Sequence, residues 1–164
     1  MRLRLALALP AFMLLAGCDF DSLFGKKPLA GAKELAGAWA CSSVAPGGAK
    51  FQSSLAFMRD GTATQVSTTK ATRDGKAVEM GWMERLNWKR TATGVEFKTT
   101  YRVVTKYVMD GQNRDLGEAN KANTRAMRER PELLAATQSV VELTANQLTL
   151  GEPGGGRTSC QRKV

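Results

Sequence analysis

The run Gly94-Val95-Glu96-Phe97-Lys98-Thr99-Thr100-Tyr101-Arg102-Val103-Val104-Thr105-Lys106-Tyr107-Val108-Met109 decides the fold class of this 164-residue chain. Val95, Phe97, Thr99, Tyr101, Val103, Tyr107 and Met109 hold the odd positions, with Glu96, Lys98, Arg102 and Lys106 between them. Side chains alternate across a strand with period two, so this pattern predicts one long strand with its odd face buried and its even face wet. A strand of this length must bend or be broken by a bulge.

Working outward, the same period recurs. Upstream, Val78, Met80, Trp82, Leu86 and Trp88 share even positions, with Glu84 as the one polar member. Asp74-Gly75 and Asp60-Gly61 are hairpin turn signals. Between them lies the threonine-rich stretch 62–69. Phe51, Ser53, Leu55 and Phe57 alternate before that, and Leu35, Gly37, Trp39 and Cys41 begin the series. Downstream, Val141 with Leu143, Leu148 with Leu150, and Thr158, Cys160 and Arg162 close it, the first two pieces joined by a turn at Ala145-Asn146. About eight strands result, joined by short turns with one exception. Residues 113–137 carry helix formers from Gly117 to Arg130, with a thin apolar seam of Ala119, Ala122 and Ala126. Lys121, Arg125 and Arg128 fall at helical spacing on another face, and Pro131 stops the helix and can start a second one through Leu133 and Leu134. This insertion reads as a loosely packed lid or crossover.

The N-terminus has a different character. Arg2 and Arg4 precede an apolar run from Leu5 to Leu15 that is too short to span a bilayer, and Leu15-Ala16-Gly17-Cys18 follows. Head, core and box in this order resemble the signal peptide and lipobox of bacterial lipoproteins. The resemblance implies cleavage after residue 17, a diacylglycerol on Cys18, and a mature chain facing the periplasm of the cell envelope. Two or three acyl chains hold a protein on a leaflet where one does not. Asp19 resembles the inner-membrane retention signal of enterobacterial lipoproteins, which tilts the choice of membrane. Residues 18–34, with Gly25, Lys26, Lys27, Pro28 and Gly31, read as a tether close enough to lipid for the two lysines to meet anionic headgroups. The globular domain is then 35–164.

Of three cysteines, lipid takes one; Cys41 and Cys160 remain in an oxidising compartment and are expected to form a disulfide tying the first strand to the last. With both ends described, Gly37-Ala38-Trp39 and Arg162 are similar to the Gly-x-Trp and late arginine of lipocalin-like proteins. That resemblance implies a small antiparallel β-barrel of about eight strands, with Trp39 plugging one end and Arg162 packed across its ring. The chain departs from the family in placing its helix before the final strands rather than after the last one. A different small barrel, a sandwich and an α+β sheet are the alternatives. In a barrel of eight strands the interior is filled or holds one small ligand. Trp39, Phe57, Met80, Trp82, Trp88, Phe97 and Tyr101 either pack as a core or, through Trp82, Trp88, Phe97 and Tyr101, line a pocket for an apolar ligand.

The chain has no histidine, which removes Ser-His and Cys-His catalysis and the commonest metal ligand. Glu79 with Glu84, and Asp110 with Asp115, are carboxylate pairs that spacing does not distinguish from solvated faces. Gly151 to Thr158 has the outline of a phosphate loop but runs into a strand rather than a helix, so it reads as a hairpin loop. The expectation is a non-enzymatic protein without metal or cofactor. Its net charge of +9 points, outside the cytosol, to lipid headgroups and wall polymers rather than nucleic acid, or simply to solubility. The leading role is binding an apolar or lipid-like ligand near the membrane. The alternatives are docking on a partner protein or wall polymer through Lys121, Arg125 and Arg128, including inhibition of a wall hydrolase, and a spacer with no discrete site.

Overall fold

The structure, a computed structural model, describes residues 32–45, 47–153 and 155–163. The expected signal peptide 1–17, the expected lipidation site Cys18, Asp19 and the expected tether as far as residue 31 lie outside the described residues.

Nine strands are described: β1 Gly37–Val44, β2 Lys50–Phe57, β3 Thr62–Arg73, β4 Lys76–Arg90, β5 Gly94–Met109, β6 Gln112–Asn113, β7 Ala135–Leu143, β8 Gln147–Gly151 and β9 Arg157–Arg162. A one-turn helix α1, Ala32–Leu35, precedes β1, and α2, Leu116–Glu129, lies between β6 and β7. Apart from the two-residue β6, each strand pairs antiparallel with its predecessor, and β9 returns to pair with β1. The result is a closed eight-stranded up-and-down barrel with one helix in the connection from β5 to β7. Closure leaves no full-length edge to template aggregation. The disulfide Cys41–Cys160 bridges directly opposed residues where the first and last strands meet.

One end of the barrel is solid. Trp39, Leu35, Phe57, Trp88, Val95 and Leu148 are buried there, and the Phe57 and Trp88 rings meet edge to face at 5.0 Å. Trp39 donates its indole N–H to the Leu35 carbonyl at 2.9 Å. The Arg162 guanidinium lies 4.1 Å over the Trp39 ring centroid and also caps three carbonyls, those of Ala36 (2.6 Å), Glu34 (2.7 Å) and Ala145 (2.5 Å). Gly37 is required here on two counts: its φ is +122°, and a Cβ would stand 2.6 Å from Arg162 Nη1. Leu35 was expected in the first strand; it belongs instead to α1, whose turn lays it across the barrel end.

The predicted odd face of β5 holds as far as Thr99, is lost over Thr100–Val104, and returns at Tyr107 and Met109, which oppose Met80 and Val78. Arg85 opposes Tyr101 and Leu86 opposes Thr99, so Thr100 has no partner on β4; a second shift leaves Thr105 unopposed between Val104 and Lys106. A β-bulge inserts one residue and flips every later side chain to the other face. Inward positions therefore pass from Val95, Phe97 and Thr99 to Arg102 and Val104. The same device at Val141, unopposed between Val140 and Glu142, turns that valine to solvent, while Val140 and Leu143 take its place against the core.

β7 pairs with β5 only over Gly94–Lys98. Beyond that point the open edge of β5 is covered by α2, not by a strand. Asn120 accepts the Val104 N–H through Oδ1 at 2.7 Å and donates Nδ2 to the Val104 carbonyl at 3.0 Å; Asn123 Nδ2 donates to the Arg102 carbonyl at 3.1 Å. Two asparagines thus complete the backbone pairing a neighbouring strand would supply. The half-buried stripe of α2 is Ala119, Asn120, Asn123, Ala126 and Met127, whereas Ala122, expected in the seam, is exposed. Asp115 caps the helix, accepting the N–H groups of Gly117 and Glu118.

Candidate functional site

The other half of the barrel is hollow. A cavity of about 420 Å³ opens between the β1–β2 turn (Ala45, Ala49), the β8–β9 loop (Glu152) and Leu134. This volume lies within the range of small-molecule sites. Its floor is apolar, made by Leu55, Leu86, Phe97, Leu150 and the Cys41 half of the disulfide. Its wall is polar, with Gln65, Thr69, Thr99 and Gln138, and Thr158 donating to Glu152 at 2.6 Å. Ser67, on the same strand between Gln65 and Thr69, is buried with no protein partner for Oγ.

The centre of the wall is an ion pair. Glu84 on β4 directly opposes Arg102 on β5. Glu84 Oε1 receives both Arg102 Nε and Nη2 at 2.7 Å, which leaves Glu84 Oε2 and Arg102 Nη1 outside the pair. Glu84 is 5% exposed, while the Arg102 side chain retains 30%. Desolvating such a pair is costly enough that well-packed apolar residues in its place are often neutral or stabilising. The pair is a poor choice for filling a barrel and a good one for furnishing a polar point inside a cavity.

The sequence-predicted residues separate in space. Phe97 lines the cavity. Trp88 is beneath it in the solid half, its indole N–H shared between the carbonyls of Thr62 (2.9 Å) and Met58 (3.1 Å). Trp82 is half-buried and packs on Phe51, a cavity residue, at 6.4 Å without lining the cavity itself. Tyr101 corrects the expectation most plainly: the bulge at Thr100 turns it outward, 45% exposed, with the Arg85 guanidinium 5.7 Å over its ring. The same flip brings in Arg102, which alternation assigned to solvent. Glu84, the polar member of an otherwise apolar face, was the visible signal.

Lys121, Arg125 and Arg128 are all exposed on α2. Lys121 pairs with Glu118 at 2.8 Å and Arg125 with Glu129 at 3.3 Å, within the helix. The suspected carboxylate pairs do not converge. Glu84 faces inward; Glu79 meets Lys106 at 2.9 Å. That hydrogen bond, with the charges of Lys106 and Lys70, holds the Glu79 carboxyl below its ordinary value against the opposing effect of burial. Asp110 Oδ1 accepts the Ala77 N–H at 2.9 Å in the turn after β5, and Asp115 is the helix cap. Among the described residues no three Cys, Asp or Glu side chains gather as a metal site requires.

No protein-family model matches this chain, and no curated protein matches it in sequence.

Proposed function

We propose that this protein is a lipid-anchored, periplasm-facing binding protein that holds an apolar or lipid-like ligand in the open half of its barrel, without catalysing a reaction on it. The observation that carries the reading is the 420 Å³ cavity, floored by Leu55, Leu86, Phe97 and Leu150 and left empty of side chains by the same fold that packs the opposite end solid. The lipobox resemblance at Leu15-Ala16-Gly17-Cys18 supports the location, with Asp19 favouring the inner membrane. Intact mass of membrane-extracted protein tests the anchor: a chain starting at Cys18 and carrying acyl mass supports it, and an unmodified Cys18 rejects it.

Native mass spectrometry of protein drawn gently from its own envelope tests the binding role. A retained adduct, lost when Gln65→Trp fills the cavity, is the expected result; an adduct indifferent to that substitution, or none, counts against it. The second reading, docking on an envelope partner through Lys121, Arg125 and Arg128, is favoured by the outward face of α2, no residue of which is buried. Charge reversal at those three positions abolishes partner capture under that reading and leaves the adduct intact under the first.

A further inference from the structure

Resting on the cavity as the ligand site, we infer that its ligand is an amphiphile whose polar group is uncharged and bears a hydroxyl, seated against the Glu84–Arg102 pair. Among the described residues that line the cavity the only cation is Arg102, and it is already neutralised by Glu84 through two contacts to one oxygen. Glu152 adds a second carboxylate to the same wall, so the wall holds more negative than positive charge. An anionic head would be stripped of water beside two carboxylates with no unpaired cation to receive it, which disfavours it. A cationic head seated at the pair would meet Arg102 itself, the excess negative charge lying at Glu152 in the β8–β9 loop.

An uncharged hydroxyl escapes both penalties. It accepts from Arg102 Nη1, the edge of the guanidinium that Glu84 leaves unused, and donates to Glu84 Oε2, the oxygen that Arg102 leaves unused. Thr99 and Gln138 extend the hydrogen-bonding wall around it, while Leu86, Phe97 and Leu150 below receive the hydrocarbon. The charged pair is thereby kept as a matched donor and acceptor rather than as a net charge.

Calorimetric titration with four probes of equal chain length separates the possibilities: monolaurin, dodecanol, laurate and dodecylamine, each below its micelle concentration at neutral pH. Monolaurin and dodecanol are expected to bind roughly tenfold or more tightly than laurate and dodecylamine, the factor one good hydrogen bond supplies. Glu84→Gln leaves Arg102 uncompensated and should invert the order in favour of laurate, with the circular dichroism of the barrel unchanged; Arg102→Gln, removing the cation instead, should not. Laurate or dodecylamine binding the unmodified protein as tightly as monolaurin overturns this inference while leaving the cavity a ligand site. Failure of all four probes to bind overturns the cavity reading itself.

Discussion

The two halves of this barrel are built from the same eight strands and differ in what the strands point inward. At the closed end the inward set is Trp39, Phe57, Trp88, Val95 and Leu148, large apolar groups that meet in the middle. At the open end the wall is Gln65, Thr69, Glu84, Thr99 and Arg102, polar groups of which Glu84 and Arg102 pair across strands, and the centre is left vacant. The difference teaches that barrel size does not settle whether an interior is filled. Eight strands are compatible with either outcome, and the choice is made layer by layer. Here the bulge at Thr100 sits at the boundary, since it is where β5 exchanges an apolar inward phase for one containing Arg102.

If the closed half carries the stability, damage there should be large and should spare binding. The disulfide belongs to both halves, since Cys41 also floors the cavity; replacing both Cys41 and Cys160 by serine opens a ring of sequence separation 119 and should lower unfolding free energy by about 4–5 kcal/mol in the chain-entropy picture. Denaturant melts of the variant check this; a loss below about 1 kcal/mol would mean that barrel closure holds without the bridge. Trp39→Ala should cost about 3–5 kcal/mol through the cavity it leaves and the stacking partner it takes from Arg162. The same melts read it.

The open half should respond with the opposite sign. The joint substitution Glu84→Leu with Arg102→Leu should be neutral or gain about 1–4 kcal/mol, because it removes an ion pair whose Glu84 carboxylate is almost fully desolvated. A large loss would mean that the pair holds the barrel together and would break the contrast between the halves. Helix α2 belongs to neither half. Replacing Asn120 and Asn123 by alanine should expose the edge of β5 at Arg102–Val104 and raise hydrogen exchange at the Val104 amide, with little change in the global melt.

The smallest effect is electrostatic. Glu79 is held below its ordinary value of 4.5, chiefly by its hydrogen bond to Lys106. A depressed carboxylate stabilises the folded state above its unfolded value, and that contribution is lost as pH falls through the lower folded value. Glu79→Gln should therefore flatten the acid limb of the stability profile below about pH 4.5 and leave neutral stability nearly unchanged.

Much of the barrel was legible because its strands alternate between bulges and are joined by turns with strong signatures. The pairs that join the ends, Trp39 with Arg162 and Cys41 with Cys160, stand in the first and last alternating segments, so a closed sheet brings them together. The site was less legible for a physical reason. Nothing in Thr99-Thr100-Tyr101 marks a bulge, since its position is set by how sharply the closed sheet must coil rather than by local propensity. One inserted residue exchanged Tyr101 for Arg102 as the inward group. The helix contact was missed because alanines were read as its seam. Two asparagines three apart in a helix, where their intrinsic preference is poor, were the available clue that side-chain amides face a backbone edge.

Methyl NMR on leucine-labelled protein tests the central claim most directly, because leucines report from both halves at once. On adding lipid extracted from the native envelope, the account predicts shifts at Leu55, Leu86 and Leu150, which floor the cavity, and none at Leu35 or Leu148 in the solid end. Shifts concentrated at Leu35 and Leu148, or an unchanged spectrum across a panel of such extracts, would contradict it.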